Sequence, residues 1–210
     1  MKRLKVWNRL RKLNLFIKRL IDFWGSLLGS IIISPILLAI ALSVKLTSEG
    51  PLFYRQERLG KDGKPFKILK FRTMVVNAEK LGDGLFVKTE EDNRITRVGK
   101  YLRASSLDEL PQLWNVLVGE MSLVGPRPPV LNHPYKYDDY SDFQKKRFIM
   151  RPGITGLSQI MVRNSVSWSE RIPFDVEYIE KFNVWLDIKI LLKTIHKIFD
   201  QQNIYTSSQN

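Results

Sequence analysis

The chain has 210 residues and a formal net charge of +13, with no cysteine and only two histidines, His133 and His196. That length can bury one sizeable core, and the lack of cysteine excludes disulfides and thiolate metal sites. Two isolated imidazoles give no support to a His-based metal cluster or a Ser-His-Asp triad.

Eight of the positive charges lie in the first twenty residues, where Lys2, Arg3, Lys5, Arg9, Arg11, Lys12, Lys18 and Arg19 meet no acid, leaving +5 for the remainder. Such an arm could hold nucleic acid or anionic lipid headgroups. The interleaved Leu4, Leu10, Leu13, Phe16, Ile17 and Leu20 favour an amphipathic helix on a membrane over residues 1–22, and no aromatic-rich nucleic-acid signature accompanies them. No nucleic-acid partner is expected.

From Phe23 to Val44 an uncharged run of 22 residues lies between Asp22 and Lys45. It is long enough to cross a bilayer core as a helix, which takes about 20 residues. Ser34-Pro35 interrupts it, because an internal proline removes a helix hydrogen bond and clashes with the preceding turn. Both flanks are basic, the second through Lys45, Arg55, Arg58, Lys61 and Lys64, so both belong on the cytoplasmic side. A re-entrant hairpin over 23–44, hinged at Ser34 and Pro35, meets that demand; a straight span would send the following residues outside. The Ser34 hydroxyl is one partner for backbone groups freed at the bend.

Residues 45–199 then read as a cytoplasmic domain. Leu52 to Arg58 and Pro65 to Met74 are β-rich and flank Lys61-Asp62-Gly63-Lys64, a hairpin signal. Strand periodicity sets Lys70 and Arg72 on one face, as ligands or as the solvated face of an edge strand. Residues 75–103 read as short helices around the polar loop Glu90-Glu91-Asp92-Asn93.

Ser106-Leu107-Asp108-Glu109 admits two readings. Ser106-x-x-Glu109 ahead of an apolar run is the pattern of a capping box. Alternatively Asp108 and Glu109, held ionised at the start of a helix that Pro111 tolerates in its first turn, are the chemically active minority in a basic chain. Lys67, Lys70, Arg72, Lys100, Arg103 and Arg127 supply more cation than two carboxylates need, which implies an anionic ligand. Prolines hold Arg127 on a stiff loop in Gly125-Pro126-Arg127-Pro128-Pro129, suited to phosphate or simply a surface turn.

The helix expected from about Leu107 carries Leu110, Leu113, Trp114, Leu117 and Val118, a stripe read as core packing. Residues 132–147 are polar and aromatic, and Arg151-Pro152-Gly153-Ile154-Thr155-Gly156 is turn-rich with another fixed cation. Residues 173–183 read as a helix with Asp175, Tyr178 and Lys181 on neighbouring turns. A last helix near 184–199 sets Trp185, Ile188, Leu191, Leu192, Ile195 and Phe199 against lysines, for packing on the domain or a membrane surface. A polar tail follows at 200–210.

Four motifs in this order carry a resemblance: Lys70-Phe71-Arg72-Thr73-Met74; Arg103-x-x-Ser106-Leu107-Asp108-Glu109-Leu110-Pro111-Gln112-Leu113-Trp114-Asn115; Met121-Ser122-Leu123-Val124-Gly125-Pro126-Arg127-Pro128; and Arg151 to Gly156. From roughly residue 17 to 199 the chain resembles the bacterial sugar transferases, the small monotopic phosphoglycosyl transferases. The resemblance implies an α+β, mainly helical fold with a re-entrant membrane hairpin, a small β-hairpin and amphipathic helices at the membrane surface. It implies transfer of a phospho-sugar from a UDP-sugar to polyprenyl (undecaprenyl) phosphate with release of UMP, at the cytoplasmic face of the bacterial inner membrane, as the first step of glycan assembly.

In such enzymes the aspartate corresponding to Asp108 is the nucleophile, and the glutamate corresponding to Glu109 helps hold Mg²⁺. Arg127 matches the family's Pro-Arg-Pro arginine; Lys70, Arg72, Arg103, Arg151 and Asp175 are the further substrate-binding candidates. Gly156-Leu157-Ser158-Gln159 departs from relatives that carry Trp and Ala after the glycine. The chain resembles the minimal catalytic form, without the multi-span region of larger relatives, and could form oligomers. A membrane-surface binding protein whose carboxylates are only caps is one competing reading, and a nucleic-acid binder using the N-terminal arm is another.

Overall fold

The computed structural model describes the backbone of residues 2–81, 92–162 and 166–199, with side chains for these except 2–10, 79 and 197–199. The side chains of the basic arm up to Leu10, the Glu90-Glu91 part of the polar loop and the tail at 200–210 lie outside the described residues. The architecture is mainly helical with two small sheets and a bent pair of N-terminal helices.

Helix α1 (Lys2–Ile32) runs unbroken across the expected boundary between residues 22 and 23. Its middle is fastened to the domain by polar side chains that the sequence assigned to a membrane-facing arm. Lys18 Nζ donates to Asp187 Oδ2 at 2.6 Å and to the Val124 carbonyl at 2.8 Å. Arg19 donates to the carbonyls of Val116 and Leu117, and Asp22 accepts from Ser122 Oγ and the Leu123 N–H. Lys18 and Arg19 therefore face protein and not headgroups, because a buried carboxylate and the free carbonyls of a helix end solvate them inside.

Helix α2 (Ser34–Thr47) leaves α1 at a bend of 64°. Pro35 has no N–H to offer the Ile31 carbonyl, and Ser34 Oγ donates to that oxygen at 2.7 Å. No single described helix is long and apolar enough to cross a membrane; Arg11–Ile32 and Ser34–Thr47 meet the requirement only as a bent pair. Trp24, Leu28, Ile31, Ile32, Leu38 and Leu42 project outward along this pair. Ile40 and Val44 turn inward to Phe71 and Leu102.

Strands β1 (Phe53–Leu59) and β2 (Pro65–Phe71) pair antiparallel with Leu59 opposite Pro65, and the connection places Asp62 and Gly63 at φ 56° and 72°, as Asp-Gly favours. After α3 (Arg97–Ala104), a 3-10 turn at Leu107–Glu109 precedes α4 (Gln112–Val118). The single helix expected from Leu107 is thus broken, since Ser106 is left-handed and Pro111 occupies the N-cap.

The expected apolar stripe of α4 is also turned over. Trp114 and Val118 are exposed, and Gln112, Asn115 and Val116 are buried. Asn115 decides this orientation: its side chain accepts from the Leu69 N–H and donates to the Lys67 carbonyl, satisfying the open edge of β2.

Short strands β3 (Ser122–Val124) and β4 (Gly153–Thr155) pair parallel, β3 just before the expected proline-rich loop and β4 within the segment expected to be turn-rich. Three-residue strands carry no periodic signal. A Cβ on Gly153 would overlap the Gly125 nitrogen, so only glycine lets the two motif segments lie back to back. Helices α5 (Asp142–Lys145), α6 (Leu157–Met161), α7 (Trp168–Lys181) and α8 (Val184–Phe199) complete the domain. Val124, Met150, Ile160, Tyr178, Ile179 and Ile190 form a core beneath β3. Of the expected α8 stripe, Trp185, Leu192 and Ile195 are exposed; the buried side chains of α8 among the described residues are Asp187 and Ile190, which lie outside that stripe.

Candidate active site

Asp108 and Glu109 sit in the 3-10 turn between α3 and α4, opposite β2 and beside the loop that follows β3. The capping-box reading fails on geometry. Ser106 makes no cap hydrogen bond, and the Glu109 carboxylate points to cations instead. Its Oε1 accepts from Lys70 Nζ at 2.6 Å and lies 3.5 Å from Arg127 Nη2. Lys70 Nζ also stands 3.8 Å from Asp108 Oδ2. Asn115, by clamping β2 at Lys67 and Leu69, fixes the strand that presents Lys70.

The two acids behave differently. Burial of Asp108 raises its pKa, against the pull of Lys70, with the neighbouring Glu109 charge adding to the rise. Glu109 is partly buried, yet Lys70 and Arg127 hold it well below the usual carboxylate range. Asp108 precedes α4 by a full turn, so the dipole of that helix acts on it only weakly, and the charges that bear on it are those of Lys70, Glu109 and Arg103. Glu109 is thus the acid engaged by the cations, and Asp108 is the one that accepts no hydrogen bond among the described residues.

Arg127 is positioned from behind. Arg147 Nη2 donates to the Arg127 carbonyl at 2.7 Å and to Asp175 Oδ2 at 2.5 Å. The Arg147 and Asp175 side chains are each 1% exposed, the Arg147 guanidinium lies 4.7 Å from the centre of the Trp168 ring, and Asp175 also accepts from Ser158 Oγ. Burial raises Asp175, opposed by Arg147 and Ser158. Asp175 thus touches the support of the loop and not the acidic pair.

The other predicted basic residues separate. Arg103 lies on α3 close enough for its charge to pull Asp108 downward. Arg72 is buried at the end of α2, where Nη2 donates to Ser48 O and Oγ; its head does not join Lys70. Arg151 is exposed and donates from Nε to Gly119 O at 2.6 Å, closing the C-terminal end of α4. Ser34 and Pro35 lie at the bend between α1 and α2.

Two residues at the cleft were not among the sequence candidates. Arg58 and Gln112 line it together with Lys70, Glu109 and Arg127. Burial, then the Arg127 charge, lowers Arg58 to about 10, which leaves it cationic at neutral pH. Its Nη1 donates to the Pro128 carbonyl at 2.9 Å. Gln112 stands in the same motif as Asp108, a signal that was available; Arg58 is legible only once β1 pairs with β2.

The carboxylates fit a Mg²⁺ site of the kind that uses one or two acids and completes its shell with water and substrate phosphate. Both cation contacts to Glu109 fall on Oε1, leaving Oε2 for a metal. Among the described residues no group of three His, Cys, Asp or Glu side chains could hold one unaided.

The family model described as "Bacterial sugar transferase" matches residues 13–201. The chain is 45% identical to the UDP-glucose:undecaprenyl-phosphate glucose-1-phosphate transferase of Klebsiella pneumoniae over 93% of this chain and 43% of that protein. It is 42% identical to the galactosyl transferase CpsE of Streptococcus agalactiae serotype III, over 87% of this chain and 42% of that one. A transferase of Caulobacter vibrioides with the same name as the Klebsiella protein is 42% identical, over 90% of this chain and 72% of its own length. The chain spans less than half the length of the first two relatives.

Proposed function

Because the chain belongs to the bacterial sugar transferase family, we propose that it moves a sugar-1-phosphate from a UDP-sugar to polyprenyl phosphate through a covalent intermediate on Asp108. The observation that carries the reading is the division of labour within the acidic pair: Glu109 is pinned by Lys70 and Arg127, while Asp108 is buried next to it without a hydrogen bond among the described residues.

In the first step an Asp108 carboxylate oxygen attacks the β-phosphorus of the donor, the bond from that phosphorus to the bridging oxygen breaks, and UMP leaves with the electron pair. In the second, an oxygen of polyprenyl phosphate attacks the same phosphorus and Asp108 departs as a carboxylate. Lys70 and Arg127 oppose the charge that gathers on the transferring phosphoryl oxygens, and Arg103 favours the ionised form of Asp108. Glu109, with Asp108 beside it, would hold Mg²⁺, which supplies charge neutralisation on the diphosphate. Arg147 and Asp175 keep the Arg127 loop in register.

A re-entrant membrane hairpin at the cytoplasmic face of a bacterial inner membrane fits this chemistry, because the acceptor is a lipid. The bend at Ser34-Pro35, the hydroxyl that covers the Ile31 carbonyl and the apolar side chains along the outside of the pair support it. The catalytic part is read as 45–199 together with the stretch of α1 that carries Lys18, Arg19 and Asp22.

The test is UMP release from a panel of UDP-sugars with polyprenyl phosphate and Mg²⁺. One donor should support turnover and label Asp108 with phosphosugar. Asp108→Asn should abolish both while leaving the melting temperature and membrane association near wild type; UMP release that persists in this variant would remove Asp108 from the reaction.

A further inference from the structure

The cleft beside the acidic pair holds features that the transfer chemistry above does not use. Gln112 is 2% exposed, and its Nε2 has no hydrogen-bond partner among the described residues. Arg58 lines the same cleft; its Nη1 and Nη2 donate to Pro128 O and Gln56 Oε1, and its Nε is buried without a partner among the described residues. Buried donors in folded proteins are nearly always satisfied, so two in one cleft point to a ligand that supplies the acceptors.

The charge around them states what kind of ligand. Arg58, Lys70 and Arg127 face a single cleft-lining carboxylate, Glu109. The ligand is therefore an anion. Its donors come from four elements: β1 through Arg58, β2 through Lys70, α4 through Gln112 and the proline-rich loop through Arg127. A planar carboxylate offers two acceptor oxygens in one plane, whereas a tetrahedral phosphate offers three or four that diverge to meet such donors.

We infer that this cleft is a seat for one phosphate group, in which Gln112 and Arg58 donate hydrogen bonds to phosphoryl oxygens on a side of Glu109 that Asp108 does not line. The seat rests on the transferase reading only for the identity of its occupant: the phosphate retained on the departing nucleotide, or that of the lipid acceptor. Lys70 and Arg127 would then be shared between Glu109 and the seated phosphate, coupling the seat to the nucleophile one residue away.

The experiment is a calorimetric titration of the full chain in lipid nanodiscs with inorganic phosphate, UMP and a short-chain prenyl phosphate, for wild type, Gln112→Met and Gln112→Glu. Gln112→Met keeps the volume and removes the donor, and should weaken binding by about tenfold or more, the effect of one hydrogen bond to a charged group. Gln112→Glu keeps the shape and opposes the anion, and should weaken binding further; it decides the matter if the Met variant melts early. Weakening for UMP alone assigns the seat to the nucleotide, weakening for prenyl phosphate alone to the acceptor, and weakening for inorganic phosphate too shows recognition of the bare group. Affinities for all three ligands that stay within about twofold of wild type in both variants overturn the seat. UMP release measured in parallel separates the two readings. A wild-type chain that transfers sugar while its affinities ignore Gln112 loses the seat alone; one that binds phosphate through Gln112 but turns over no UDP-sugar keeps the seat and loses the transferase reading.

Discussion

The Arg147–Asp175 pair offers a test that separates stability from the placing of Arg127. Both side chains are 1% exposed and share a hydrogen bond. Asp175→Leu alone leaves the Arg147 cation buried without a counter-charge, with the Arg127 carbonyl, the Tyr140 hydroxyl and the Trp168 and Phe148 rings to solvate it. Removing one partner of such a pair costs about 3–5 kcal/mol. For a chain of this size each kcal/mol moves the melting temperature by roughly 2–4 °C, so a fall of roughly 6–20 °C is expected. Replacing both residues, as Arg147→Met with Asp175→Leu, removes the stranded charge and should recover most of that loss. Ser158 Oγ keeps a second acceptor in Gln159 Oε1 at 3.1 Å. Activity should not recover, because the Arg127 carbonyl no longer has its donor. Thermal unfolding and UMP release measured on the wild type and three variants complete the cycle. A double variant as unstable as Asp175→Leu, or one with full turnover, would refute the assignment of this pair to holding the loop.

Lys18→Met should lower the melting temperature by a similar amount, since among the described residues the Asp187 carboxylate would keep only the Tyr178 hydroxyl as a hydrogen-bond partner; a change under about 2 °C would mean that the helix is not fastened there. Lys70→Met should reduce UMP release by at least about tenfold, through the freed Glu109 carboxylate, with a smaller effect on melting. Pro35→Ala restores the N–H that can reach the Ile31 carbonyl and should straighten the bend. Cysteine labelling on intact and permeabilised cells should then find the two flanks on opposite faces in the variant and on one face in the wild type; flanks on opposite faces in the wild type would end the hairpin reading. Arg72→Met should loosen α2 from the domain, seen as faster proteolysis near Ser48, because the guanidinium donates to both the carbonyl and the hydroxyl of that residue.

Local chemistry was legible in the chain wherever neighbours in sequence are also neighbours in space. The uncharged run with its proline break, the Asp-Gly hairpin and the helix after Asn183 all follow from rules that act within a few residues. The motif positions likewise marked Asp108, Glu109 and Arg127 as candidates. What the carboxylates do was not legible, because a serine three residues before a glutamate serves equally as a cap or as a coincidence. Lys70, 39 residues away, settles it by drawing the Glu109 side chain out of the turn. The same holds for the basic residues, which in sequence form one excess of charge. The fold sends Lys18 to Asp187, Arg72 to the end of α2 and Arg147 to Asp175, and leaves Arg58, Lys70 and Arg127 at the cleft. Composition sets how many cations there are; only packing decides which lose water to a buried partner and which keep a free face for a ligand, since desolvation depends on what lies opposite in space.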